Sequence, residues 1–198
     1  LYGLPGTIGG AVFGNAEAHK TSTGDFVKSV TLYNPNSLEP ADATRELGSD
    51  YFEFLYRHSL LHETKEIVLK VTLQLKKATQ EEAAAQQNSL KKAEEALNFR
   101  KEKQPAGRNN GSFFKNPPGD FAGRLIDVAG LKGTKIGGAY ISEKHGNFFM
   151  NDGTATTQDL IDLRSLARAT VREEFDVNLE EEVRIVMPDG RLLQEHDA

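Results

Sequence analysis

The run from Thr79 to Lys103 constrains the fold most. Ala, Glu, Lys and Gln dominate it, and Pro105 ends it. These are good helix formers, and proline stops a helix by removing an N–H and clashing with the preceding turn. Thr79-Gln80-Glu81-Glu82 reads as a capping box, in which Thr79 and Glu82 satisfy orphan N–H groups reciprocally. Leu90, Ala93 and Leu97 give only a thin apolar stripe. A helix so weakly amphipathic reads as a connector. The chain is therefore expected to divide into a first part over residues 1–78, a connecting helix over 79–105, a second part over 106–187 and a polar tail over 188–198.

Both parts read as mixed α and β. Residues 1–20 are glycine-rich, which marks turns and close backbone approach. Ser29 to Leu32 has strand composition, and residues 34–50 read as a polar loop. Tyr51 to Tyr56 fits a short helix or strand. Ile67 to Leu75 alternates, with Leu69, Val71, Leu73 and Leu75 on one face of a half-buried strand. In the second part, Asp120 is expected to cap a helix over Phe121 to Ala129, closed by Gly130. Ile136 to Ser142, Asn147 to Asn151 and Val183 to Met187 read as strands. A helix beginning near Thr157 places Leu160, Leu163, Ala167 and Val171 on one face. Pro188-Asp189-Gly190 reads as a turn.

Composition removes several function classes. The net charge is −5, which disfavours a general nucleic-acid binder. No apolar run approaches the roughly 20 residues of a membrane helix. Cysteine is absent, so there is no disulfide framework and no thiolate chemistry. His58 and His62 are spaced i, i+4, but no third ligand accompanies them, and no metal site is expected. The opening Leu1-Tyr2-Gly3, with no initiator Met, reads like the middle of a domain.

Four motifs are left with chemistry to offer. Gly3-Leu4-Pro5-Gly6-Thr7-Ile8-Gly9-Gly10-Ala11, followed by Asn15, is either a cradle for a flat or anionic ligand or a structural loop. In Tyr56-Arg57-His58-Ser59, Arg57 is either a fork for a carboxylate or phosphate or a surface charge. Gly111-Ser112-Phe113-Phe114-Lys115-Asn116-Pro117 puts a hydroxyl before two aromatics and near a lysine. That is either a dry, electropositive pocket for a proton donor or a hairpin. Leu179-Glu180-Glu181-Glu182-Val183-Arg184 is a charge run at a strand start unless a partner makes it a site.

The order of the motifs is more specific than any one of them. Between them stand Lys103-Gln104-Pro105, Ala122-Gly123-Arg124-Leu125-Ile126, Gly130-Leu131-Lys132-Gly133, Ile136-Gly137-Gly138-Ala139 and Lys144-His145-Gly146-Asn147-Phe148. The series over residues 1–187 resembles the UDP-N-acetylenolpyruvoylglucosamine reductases, also called UDP-N-acetylmuramate dehydrogenases, and the serine motif carries most of the specificity.

The resemblance implies an α+β chain. Residues 1–78 would be the later part of a vanillyl-alcohol-oxidase-type FAD-binding domain, and residues 106–187 a substrate-binding domain. An N-terminal flavin subdomain would be missing from this sequence. The implied reaction is cytoplasmic and serves peptidoglycan synthesis. NADPH reduces FAD, and the flavin passes hydride to UDP-N-acetylglucosamine enolpyruvate. Arg57 would stabilise the negative charge that develops, Glu182 would assist it, and Ser112 would protonate the carbon. Arg57, Lys103, Asn116 and His145 would bind substrate. Gly3, Pro5, Gly6, Thr7, Gly9, Gly10, Ala11 and Asn15 would bind FAD. The polar helix fills much of the interval between Ser59 and Gly111, as in the subgroup without a substrate-covering tyrosine insertion. The alternative is an inactive nucleotide-sugar-binding fragment of such an enzyme.

Overall fold

A computed structural model describes residues 3–18, 21–41, 43–77, 79, 86–187 and 189–193. The chain divides into two compact units, Leu1–Glu94 and Glu95–Ala198. The division falls inside the polar helix, which is described over Gln86–Lys103 (called α3 below). The capping box expected at Thr79 to Glu82 lies outside the described residues.

In the first unit, Thr7 caps helix α1 (Ile8–Phe13) by accepting the Gly10 N–H at 3.1 Å. A small hairpin comes next, β1 (Glu17–Ala18) with β2 (Thr21–Ser22). The main sheet is antiparallel, with β3 (Val27–Tyr33) between β4 (Thr44–Gly48) and β5 (Ile67–Leu73). A 3₁₀ turn over Ser49–Phe52 and the short helix α2 (Leu61–Thr64) lie between β4 and β5 in sequence. The core is Val12, Val27, Val30, Leu32, Phe52 and Leu61.

Two expectations fail in this unit. Residues 34–50 are not all loop, because Thr44–Gly48 pairs with β3 along its whole length. This strand sits at the sheet edge and packs only Leu47 on the core, so its sequence shows no alternation. The β5 strand also buries different residues. Thr31 pairs with Lys70 and Leu32 with Val68, which leaves Leu69 as an extra residue in the ladder. Such a bulge reverses the facing of the residues beyond it. Val68 and Val71 therefore pack on the core, while Leu69 and Leu75 are exposed.

The second unit is a four-stranded antiparallel sheet in the order β6 (Asn109–Ser112), β9 (Phe148–Asn151), β8 (Ala139–Ile141), β7 (Lys135–Ile136). Helices α4 (Ala122–Val128) and α5 (Thr157–Phe175) pack with it. α5 buries Leu163, Ala167 and Val171 and packs Leu160 against the same core, which also holds Phe113, Phe114, Leu125, Ile126 and Phe149. A capping box starts α5. The Thr156 side chain accepts the Asp159 N–H at 3.1 Å, and the Asp159 carboxylate accepts the Thr156 N–H at 2.9 Å.

Three more expectations need correction. Asp120 does not cap α4. It accepts the Phe121 N–H at 2.7 Å and holds Arg124, while the Asn116 side chain takes the Ala122 N–H at 3.1 Å. Ile136 to Ser142 is not one strand, because Gly137, at φ 54°, and Gly138 turn it back as a two-residue hairpin. Val183 to Met187 forms no ladder, and this region shows only isolated bridges at Glu181 and Val186. Gly130 does close α4, at φ 69°. Its N–H reaches Asp127 O and that of Leu131 reaches Ile126 O, a Schellman pairing. Among the described residues no helix is long and apolar enough to cross a membrane.

Candidate functional site

In the first unit, the structure brings together the Arg57 turn and the end of α1, the helix that follows the glycine loop. Leu55 and His58 exchange backbone hydrogen bonds of 3.1 and 3.2 Å, so Tyr56 and Arg57 form the tip of a tight turn. Arg57 occupies the left-handed region at φ 54°. A non-glycine residue there is strained and persists only when its surroundings hold it. Three ties do so. Ser59, fully buried, donates to Phe13 O at 2.6 Å at the end of α1. Asn15 Nδ2 donates to Leu55 O at 2.9 Å. Arg57 Nη1 reaches Glu17 O at 3.4 Å, with the guanidinium 5.2 Å from the Tyr56 ring centre.

Asn15 is 5% exposed, and its Oδ1 also accepts the Gly24 N–H at 2.9 Å. Its side chain is thus engaged inside the unit, holding the turn. Gly3, Leu4, Pro5, Gly6, Thr7 and Ile8 are exposed, and Gly9 packs against Val68. Gly3 and Gly6 take φ 73° and 151°, and a side chain at Gly6 would meet nothing. An open glycine backbone flanked by the exposed apolar Leu4 and Ile8 fits a flat cofactor carrying an anionic group. His58 and His62 stack at 5.0 Å, and His62 also packs on Phe13.

In the second unit, Ser112 ends β6 beside Gly111, whose φ is 82°, and an irregularity interrupts the ladder between Asn109 and Ser112. The next two residues, both phenylalanines, are each 1% exposed, and Phe113 stacks on Phe149 at 4.2 Å. Their backbone receives the acidic segment. Glu182 donates its N–H to Phe113 O at 2.9 Å, and Lys115 donates to Glu180 O at 2.8 Å. Ser112 and Glu182 are therefore brought to adjoining backbone positions from distant parts of the sequence. Lys115 Nζ pairs with Glu180 at 3.2 Å, so its charge is directed to that carboxylate rather than reserved for the hydroxyl.

Two of the remaining candidates, Asn116 and His145, lie at the start of α4. Asn116 accepts the Ala122 N–H. His145 lies against Gly123, where an added Cβ would approach Cε1 to 2.9 Å. Lys144 Nζ donates to Lys101 O at 2.8 Å, which ties the His145 loop to the end of α3 that bears Lys103. Lys103 itself pairs with Glu102 at 2.7 Å. Burial, and then the charge of Lys132, hold the His145 imidazolium below its ordinary value of 6.5. Its Nδ1 lies 3.1 Å from the Asn147 N–H, which fits a neutral ring accepting at Nδ1.

Sequence reasoning missed the buried ion pair beside the site. Glu181 Oε1 accepts from Arg164 Nε at 2.5 Å and from Arg168 Nη1 at 3.1 Å, and the Arg164 side chain is 3% exposed. Burial pushes the Glu181 carboxyl up, but the Arg164 hydrogen bond leads a set of interactions that outweigh it, and the net shift is downward. It also missed Asn147, which is 3% exposed and bonded to both phenylalanines. An arginine within a helix and an asparagine before a strand carry no pattern that marks them as buried.

Fold and geometry define a two-unit α+β protein. One unit carries an open glycine loop leading into a helix whose end is tied to an arginine turn, and the other a serine whose following residue is bonded to the Glu182 backbone, with an amide and an imidazole near one helix start. A model of the C-terminal domain of UDP-N-acetylenolpyruvoylglucosamine reductase matches residues 103–186. A reductase of that name from Bacillus licheniformis is 40% identical over 187 residues, covering 93% of this chain and 95% of that protein. One from Caldanaerobacter subterraneus is 41% identical over 185 residues, and the chain spans 58% of its length. The crystal structure of the Thermus caldophilus reductase superposes with a TM-score of 0.74 at 35% identity, over 91% of this chain and 60% of that one. The chain belongs to the UDP-N-acetylenolpyruvoylglucosamine reductase family.

Proposed function

We propose that this chain acts in the flavin-dependent, NADPH-driven reduction of UDP-N-acetylglucosamine enolpyruvate to UDP-N-acetylmuramate, in cytoplasmic peptidoglycan precursor synthesis. The observation that carries the reading is the Glu182 N–H on Phe113 O, which brings the Glu182 backbone to the residue that follows Ser112. Likeness to the Bacillus licheniformis reductase supports the same reading. In this account residues 1–78 belong to a vanillyl-alcohol-oxidase-type flavin domain, residues 79–105 connect, and residues 106–187 bind substrate.

The loop Gly3, Pro5, Gly6, Thr7, Gly9, Gly10 and Ala11 would hold FAD, with Asn15 bracing the turn behind it. FAD supplies hydride transfer, which no side chain can perform. Arg57 stabilises the negative charge that develops on the substrate, because a charge fixed in advance costs no reorganisation during reaction. Glu182 assists there. Ser112 gives its proton to the substrate carbon. Lys103, Asn116 and His145 orient the nucleotide sugar.

The test is NADPH consumption by the purified protein with FAD, with and without UDP-N-acetylglucosamine enolpyruvate. Consumption that requires this substrate is expected. Consumption that ignores it, or a protein with no flavin absorbance after FAD is added, contradicts the proposal.

A further inference from the structure

We infer that Asn147 is the positioning residue that aims Ser112 at the substrate carbon, an inference that rests on the reductase reading. Ser112 pairs with Phe148 at the end of the β6–β9 ladder, just after an irregularity between Asn109 and Ser112 and after the left-handed Gly111. Asn147, just before β9, extends that pairing with its side chain. Its main-chain oxygen accepts the Phe113 N–H at 2.8 Å. Its side-chain Oδ1 accepts the Phe114 N–H at 2.9 Å, and its Nδ2 donates to Phe114 O at 2.8 Å.

Both ends of one buried amide are thus satisfied by a single residue, two positions after the hydroxyl. Only a side chain with a donor and an acceptor in one plane does this. Asn147 is itself fixed by its N–H to His145 Nδ1. The opposite side of the same dipeptide receives Glu182, through Phe113 O. One asparagine therefore holds the dipeptide that follows Ser112 and that receives the Glu182 N–H. A group misplaced by about 1 Å can lose on the order of 10²-fold in rate.

The experiment tracks the two half-reactions of the FAD-loaded protein separately, by stopped-flow flavin absorbance. Asn147→Asp keeps the acceptor and loses the donor. It is expected to leave flavin reduction by NADPH within about twofold and to slow reoxidation by substrate at least ~10-fold. In a Ser112→Ala background the same change is expected to add little, since there is no proton donor left to aim. Amide exchange at Phe114 should also rise. Equal slowing of both half-reactions, or a full additional loss in the Ser112→Ala background, overturns the inference. If Asn147→Asp does not fold, Asn147→Ser is read by the same criteria. A wild-type protein inert toward the substrate removes the reductase reading; an active one indifferent to both Asn147 variants removes this inference alone.

Discussion

Two adjacent glutamates show how little the residue scale can be read from composition. Glu181 is held by the buried Arg164 and by Arg168, whereas the neighbouring Glu182 N–H lies on the serine segment. In sequence all three acidic residues read as one solvated run. Removing one member of a buried pair strands the other charge. Glu181→Ala should therefore lower stability by about 3 kcal/mol in urea unfolding. Glu182→Gln should stay within ~0.5 kcal/mol while impairing substrate reduction. A second prediction concerns His145. Its folded value lies below the ordinary 6.5, so the unfolded chain binds more protons in acid. Stability from this group is present above that value and declines as pH falls through it. His145→Gln should flatten that part of the pH dependence of unfolding, and an unchanged slope would remove His145 from the account.

Elements were legible where a period or a turn residue encoded them. α5 has an apolar face that keeps to the helical repeat, and Gly130 sits at the left-handed position its role requires. Legibility failed where pairing overrode pattern. β4 is specified by its neighbour β3, and one extra residue at Leu69 moved the buried face of β5. The β7–β8 hairpin was hidden because Gly137-Gly138 reads equally well as a motif. Its backbone is packed so closely that a side chain at Gly138 would come within 2.2 Å of Ala155 N. Asp159 joins this hairpin to α5, accepting the Gly138 N–H at 3.1 Å as well as closing the capping box. Asp159→Ala loses both, and a destabilisation of about 1–2 kcal/mol is expected by thermal or urea unfolding. A change no larger than that of an exposed surface substitution would show that the hairpin contact contributes nothing.

At the scale of the whole molecule, the second unit has the larger core: among the described residues its buried apolar cluster has thirteen members, against six in the first. Local opening tracks such differences. Native-state hydrogen exchange should find the slowest amides in β9 and α5, and slower exchange in β3 would contradict this. The candidate site was legible in the sequence only through motif order, since Ser112 and Glu182 lie far apart along the chain, the ladder is interrupted just before Ser112, and Glu182 belongs to no ladder. Which residues hold them, above all Asn147, depends on burial that single-residue chemistry does not announce.

The central claim is that Ser112 gives a proton to carbon. Single-turnover measurement of Ser112→Ala, loaded with FAD, tests it most directly. Flavin reduction by NADPH should proceed nearly as in the wild type, and reoxidation by UDP-N-acetylglucosamine enolpyruvate should slow by at least ~10²-fold. Equal loss in the two half-reactions, or unimpaired reoxidation, would contradict it.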